Sequence, residues 1–309
     1  MKKILGTILA VILAFTVLSG SVCAVGTPLS DLELVETVLY GEPRDGALLE
    51  RIEQIEMDIY GSPQEGAVLI RIDRIYGFLE NPQDAEGGLK LQLNLAEWGF
   101  TTSIRTELPL LKRLENMETI LFGGPQAGEI SRRARDLMLA IWGTTKLDVQ
   151  EVSLPEHSLV KIELLDPVDS GQAQADDVVN YRVVEDVVVE GRVVVPSGVL
   201  GQGRIVEVSS ARRLGKDGRV VIDFGRIASL DGTLIKLKVD ERATQENKSL
   251  ELAAGASMAG VILLGPVGLV GGYFVKGKDV RIESNVEFYV ETARTARLSG
   301  FFMGPALDL

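Results

Sequence analysis

The chain has 309 residues, a formal charge of −12, one histidine and one cysteine. That acidic balance argues against a nucleic-acid partner, because neutralising phosphates needs clustered Lys and Arg. With Cys23 as the sole cysteine, the chain cannot build a disulfide framework of its own.

Residues 1–24, MKKILGTILAVILAFTVLSGSVCA, set Lys2 and Lys3 before an apolar run and end on Val22 and Ala24 at a cleavage-like site. This is the pattern of a bacterial secretory signal peptide. A lipoprotein would need a small residue before Cys23, where Val22 stands. Cleavage after Ala24 removes Lys2, Lys3 and Cys23, leaving 30 basic against 44 acidic residues, a charge of −14 and no thiol chemistry.

Residues 28–145 read as a helical repeat domain. The cadences "ETVLYG" at Glu36, "EMDIYG" at Glu56 and "ETILFG" at Glu118, with a looser "MLAIWG" at Met138, recur with an about 20-residue period. Leu48, Ile52, Ile55 and Ile59 match Val68, Ile72, Ile75 and Leu79, and the same 4-3-4 spacing returns from Leu110 and from Ile130. Such spacing puts each set on one helical face. Six short units are expected, with residues 82–108 a degenerate one, and they must stack because a single unit cannot bury its stripe. Gly41 and Gly61 suit left-handed helix ends, and Pro43, Pro63, Pro82 and Pro125 suit first helical positions. Ser30 with Glu33, and Ser62 with Glu65, have capping-box spacing.

Arg51, Arg71, Arg113 and Arg133 share one register position of the repeat. They read as an ion-pair ladder along a binding surface or as a solvated helix face. The second is preferred, since exposed pairs contribute only about 0–1 kcal/mol. Tyr40, Tyr60, Phe122 and Trp142 read as core between units rather than as a ligand platform.

Residues 150–295 read as a β domain. Val160, Ile162 and Leu164, then Ile235, Leu237 and Val239, then Val286, Phe288 and Val290 alternate with polar neighbours between close turns. That predicts an antiparallel barrel or sandwich. The motifs "LPEHSLVKI", "VPSGVLGQGRI" and "IESNVEFYV" align His157, Gly198 and Asn285 at one turn position, three residue types that tolerate positive φ. His157, the sole histidine, therefore reads as a turn residue before a catalytic or metal one. No His/Cys/Asp/Glu group has zinc spacing, and no cofactor is expected. Asp166, Asp169, Asp176 and Asp177 fall in a polar loop where a calcium site is conceivable, but EF-hand spacing is absent and a solvated acidic loop is preferred.

From Leu252 to Val275 there are 24 residues without a charge. About 20 apolar residues would span a bilayer, yet Gly255, Gly260, Gly265, Gly268, Gly271 and Gly272 weaken a lone helix and Pro266 divides it. A single crossing would also strand the strand Val286–Val290 away from its sheet. The run is read as a Gly-rich hydrophobic hairpin inserted at 252–275, used in membrane contact or self-association, or else packed into the core of its own chain. Residues 296–309 are read as a C-terminal tail. The expected fold class is thus α+β multidomain: an array of short helices, then a β-barrel or sandwich carrying the insertion.

The text from Leu154 through Ile227 and on to about residue 292 resembles a β domain of uncharacterised bacterial envelope proteins that often accompanies a glycine-zipper segment. More distantly it is similar to the TrbI-type barrel of conjugal transfer systems, in which an insertion projects from the barrel as helices lining an outer-membrane channel. The resemblance implies an envelope location and a barrel with an insertion. His157 and Asn285 depart from the glycine such a turn would carry.

Three functions follow as expectations. The first is a non-enzymatic protein of the periplasm or outer envelope, its helices engaging an envelope protein and its hairpin meeting a membrane or a second copy. The second is an oligomeric pore or secretion-complex component of TrbI-like type. The third is an extracytoplasmic hydrolase using a carboxylate pair such as Asp166 with Asp169 or Glu185 with Asp186.

Overall fold

The computed structural model describes residues 27–82, 87–210, 219–254, 279 and 281–302. Residues 1–24, read as a signal peptide, lie outside them. Six helices of 13 residues come first: α1 (Pro28–Tyr40), α2 (Leu48–Tyr60), α3 (Val68–Glu80), α4 (Leu89–Thr101), α5 (Leu110–Phe122) and α6 (Ile130–Trp142). Their starts at 28, 48, 68, 89, 110 and 130 are 20 or 21 residues apart. Gly41, Gly61, Gly123 and Gly143 end α1, α2, α5 and α6 in the left-handed conformation, each returning its N–H to a carbonyl of the last turn. The expected apolar stripe is buried, with Ile52, Ile55, Ile59, Ile75, Leu79 and Leu114 fully enclosed.

Helix starts differ from the sequence expectation. Pro43, Pro63 and Pro125 lie in the loops, and Pro82 precedes α4 by several residues. Thr27, not Ser30, caps α1, and Ala67 precedes α3 without any side-chain cap, so neither Ser30 nor Ser62 forms a capping box. The reason is a carboxylate from the preceding helix, which fixes the loop itself. Glu36, Glu56, Glu97 and Glu118 each stand ninth in a helix. Each accepts a backbone N–H eight residues on, from Arg44, Gln64, Arg105 and Gln126, at 2.8–3.0 Å.

The same carboxylates hold the arginines. Arg51, Arg71, Arg113 and Arg133 each stand fourth in the following helix and form a two-pronged ion pair, Nε to Oε1 at 2.8–3.0 Å and Nη2 to Oε2 at 2.5–2.7 Å. Their side chains are at most 10% exposed, and those of the glutamates at most 3%. This corrects both sequence readings of the arginine register. The pairs neither line a surface nor face solvent; they are buried between consecutive helices and fix each loop and helix start. Burial pushes the Glu56 carboxyl up, but the Arg71 fork and the Gln64 N–H pull it down further, so it sits below the usual carboxylate range. At the step from α3 to α4 both partners change together, Tyr76 standing ninth and Gln92 fourth, and Gln92 bonds the Gly87 carbonyl instead.

Helix α4, expected to be degenerate, is a full member. Thr102 replaces the terminal glycine and still takes φ 54°. Its leucines alternate (Leu89, Leu91, Leu93, Leu95), yet all are buried, as are Gln92, Asn94 and Glu97. Where every residue is buried, as from Leu91 to Trp98, a helix loses its stripe. Helix α4 packs against α5 and α6, and its Asn94 amide donates to the Leu230 carbonyl of the β half at 2.6 Å.

The β half is a closed barrel, the first of the two expected alternatives. Its strands, in order around it, are β11 (Glu287–Thr292), β2 (Leu159–Leu164), β4 (Val178–Val183), β7 (Leu200–Ser209), β8 (Arg219–Ala228) and β9 (Leu234–Lys238). All neighbouring pairs are antiparallel. Its centre is filled, with the rings of Tyr181, Phe224 and Phe288 in sequence at 5.5 Å spacing and the Tyr181 hydroxyl donating to the Phe224 carbonyl at 2.6 Å. Gly201, paired with Tyr181, leaves the space its ring takes. Six strands enclose side chains, not a channel.

Beside the barrel, β1 (Val149–Leu154), β12 (Ala296–Phe301), β6 (Arg192–Val195) and β5 (Val187–Val189) form a second sheet, and β3 (Val168–Asp169) pairs with β10 (Arg281–Ile282). Strand β12 corrects the expectation of a tail from residue 296. It pairs with β1 along its whole length, and Leu298 and Phe301 are buried. The Phe301 ring meets Trp142 edge-on at 5.4 Å, and Trp142 in turn lies 6.2 Å from Trp98. Tyr40 and Tyr60 pack partly against the core, whereas Phe122 is 44% exposed, so the core reading fails there.

Candidate functional site at the base of the insertion

His157, Gly198 and Asn285 take φ of +63°, +88° and +62°, the shared turn that their register predicted. The His157 N–H donates to the Thr292 carbonyl at 3.0 Å, which fastens the β1–β2 turn onto β11. The ring is then carried to the end of the barrel where β9 stops.

There the chain turns at Asp240. Its carbonyl accepts from the backbone and hydroxyl of Thr244, opening helix α7 (Glu241–Ala254). Strand β9 meets β11 only at Glu291 and Thr292. Beyond that point the Asn247 side chain takes the place of a strand: its amide donates to the Tyr289 carbonyl at 2.9 Å, and its oxygen accepts the Tyr289 N–H at 2.6 Å. Helix α7 therefore runs back along β11 toward Glu287, the end at which β11 begins. The uncharged run begins in the last turn of α7, at Leu252, and the chain returns through β10 and β11. The insertion is thus seated between two neighbouring barrel strands.

Charged groups gather at this base. His157 Nδ1 lies 3.2 Å from Glu291 Oε2, and His157 Nε2 lies 3.4 Å from Glu156 Oε1. The Lys238 ammonium bridges Glu156 and Asp240, each at 3.2 Å. Burial lowers the Lys238 pKa, but those two carboxylates raise it more, and it lies above the usual lysine range. The Arg242 guanidinium donates to the His157 carbonyl. Glu291 is completely buried, and among the described residues its Oε1 has no hydrogen-bond partner. An unmet buried oxygen of this kind costs about 1–3 kcal/mol, more when the group is charged.

One atom each from His157, Asp240 and Glu291 lies within 4.8 Å of the other two. The sequence carried no local signal for this set, because its members are contributed by a turn, a helix start and a barrel strand far apart in the chain. The lone histidine was the one visible mark, and its turn role, which the backbone bears out, masked the second.

The other expected sites fare differently. Gly255, Gly260, Gly265, Pro266, Gly268, Gly271 and Gly272 lie outside the described residues. Asp166, Asp169 and Asp177 line an open cleft of about 380 Å³ with Arg281. Each already accepts a bond that shapes the loop: Asp166 from the Asn180 amide, Asp169 from the Gly171 N–H and Asp177 from the Gln174 N–H. Asp176 does not line that cleft, and among the described residues the acidic loop assembles no set of three ligand groups. Glu185 pairs with Lys161, while Asp186 accepts the Ser197 N–H. The two therefore serve different neighbours.

No protein-family model matches the chain, and no curated protein matches it. Among solved structures it is similar to ComB10 of the Com type IV secretion system of Helicobacter pylori, at 15% identity and a TM-score of 0.27, over 46% of this chain and 88% of that one. At that score the likeness carries no weight for function. No helix among the described residues is long and apolar enough to cross a membrane.

Proposed function

We propose that the chain is a non-enzymatic component of the bacterial cell envelope whose barrel holds the uncharged segment 252–275 against a membrane or against a second copy, while the helical half engages a partner protein. The observation that carries this reading is the seating of the insertion. Twenty-four uncharged residues enter and leave through adjacent strands, and Asn247 fastens the departing helix to β11. The barrel's own strands supply its core, with Tyr181, Phe224 and Phe288 buried at the centre. The filled centre also means that a pore would require a ring of copies, not one barrel.

Alkaline carbonate washing of membranes tests the proposal. The full chain is expected to stay with the membrane or to sediment as an oligomer, and deletion of Ala253–Val275 is expected to release a folded, monomeric barrel. A full chain found wholly in the soluble wash, with a monomeric mass by light scattering, would refute it.

A further inference from the structure

We infer that His157, Asp240 and Glu291 form a binding site for a divalent transition-metal ion, zinc being the natural probe. Three groups that supply nitrogen or oxygen ligands converge from three separate elements, with their ligand atoms within 4.8 Å of one another. Zinc takes imidazole and carboxylate ligands at roughly 2.0–2.2 Å, which sets ligand atoms about 3.3 Å apart around a tetrahedron. His157 Nδ1 and Glu291 Oε2, hydrogen-bonded at 3.2 Å, stand at the separation of such an edge, and an ion would replace the proton they share.

The second observation is independent of that proximity. Glu291 is fully buried, yet among the described residues Oε1 meets no donor. A buried carboxylate with an unmet oxygen calls for a cation, and none of the neighbouring basic groups supplies one to that atom. Lys238 is committed to Glu156 and Asp240, and Arg242 to the His157 carbonyl.

The surroundings suit a metal further. Glu156 lies 3.4 Å from Nε2, the ring nitrogen that does not face Glu291, where a carboxylate fixes the tautomer and orientation of a metal-bound histidine. The side chains of Asp240 and His157 are 43% and 47% exposed, so Asp240 can swing a carboxylate oxygen to the ion and water can fill a fourth position. Lys238 then keeps Glu156. A bound ion ties the start of α7, the β1–β2 turn and β11 together, and so stiffens the base of the insertion. The site stands whether or not the insertion meets a membrane. Imidazole among the ligands selects zinc and similar ions over calcium and magnesium.

The test uses the full chain in mild detergent and the fact that it has one histidine, whose ring resonances are therefore unambiguous. One equivalent of zinc is expected to shift them, to raise the thermal midpoint, and to resist competition by millimolar calcium or magnesium. His157→Asn keeps the positive-φ turn, as Asn285 does at the matching position, and is expected to lower zinc affinity beyond the 10–100-fold that losing an outer partner typically costs. Glu291→Gln is expected to lower it comparably while filling the same space. Absence of zinc uptake, zinc uptake that leaves the His157 resonances unmoved, or wild-type affinity in His157→Asn would each overturn the assignment.

Discussion

Arg113→Ala is expected to lower stability by about 3–5 kcal/mol, the range for breaking a buried ion pair from one side. Of the four arginines it is the most enclosed, at 2% exposure. Its fork serves Glu97 at 2.7–3.0 Å and Asn94 at 2.6 Å. Removing it strands a buried carboxylate and a buried amide oxygen together. Asn94 also reaches the Leu230 carbonyl, so the damage passes to the junction with the barrel. Arg132→Ala is the control: that side chain is 56% exposed, and its loss is expected to cost less than about 1 kcal/mol. Arg113→Lys supplies charge without the planar fork and is expected to recover only part of the loss. Urea titrations of the three variants, followed by helix signal, separate these outcomes. A cost for Arg113→Ala as small as that for Arg132→Ala would show that the network contributes nothing to holding the helices.

How far the sequence carried can be judged from these residues. The helical stripe was legible because core positions at 4-3-4 spacing sit between terminal glycines, and both signals are local. The lag of 15 residues from Glu36 to Arg51, Glu56 to Arg71 and Glu118 to Arg133 was also printed in the chain. Its meaning was not, since groups that far apart cannot meet on one helix and pair only once consecutive helices pack. Helix α4 was hidden by its own burial: from Leu91 to Trp98 every residue is buried, so leucines fall at alternate positions and the polar Gln92, Asn94 and Glu97 lie inside. Strand β12 was hidden by distance, as its partner β1 lies at the other end of the β half and its text, ARLSGF, includes a serine and a glycine. The alternating strands β2, β9 and β11 were visible because each turns one face to the barrel's centre. The cluster around His157 could not be read, because nothing in the chain's order brings positions 157, 240 and 291 together.

The turn position shared by His157, Gly198 and Asn285 leads to the second large effect, at Gly198. Its sisters bear side chains at the same positive φ, so conformation alone does not demand glycine. The difference is what lies outside the turn. A Cβ on Gly198 would fall 1.7 Å from the backbone oxygen of Thr102 and 2.8 Å from its carbonyl carbon. Thr102 closes helix α4, so the obstacle is a helix end that cannot swing aside. Gly198→Ala therefore incurs the strain of a left-handed residue, about 1–2 kcal/mol, and an overpacking cost of about 1–3 kcal/mol on top. Gly123→Ala isolates the first part, because Gly123 has φ +84° with nothing within 4 Å of an added Cβ. Thermal denaturation is expected to rank Gly198→Ala well below Gly123→Ala. Tryptophan emission identifies where the strain goes, since the chain's two tryptophans, Trp98 and Trp142, lie together and Trp142 meets Phe301 of β12, where the helices join the β half. A red shift in Gly198→Ala alone is the expected mark of the two halves easing apart. Equal stability of the two variants would mean that the β6–β7 turn yields without disturbing α4, and that the junction rests on Asn94 and Trp142 instead.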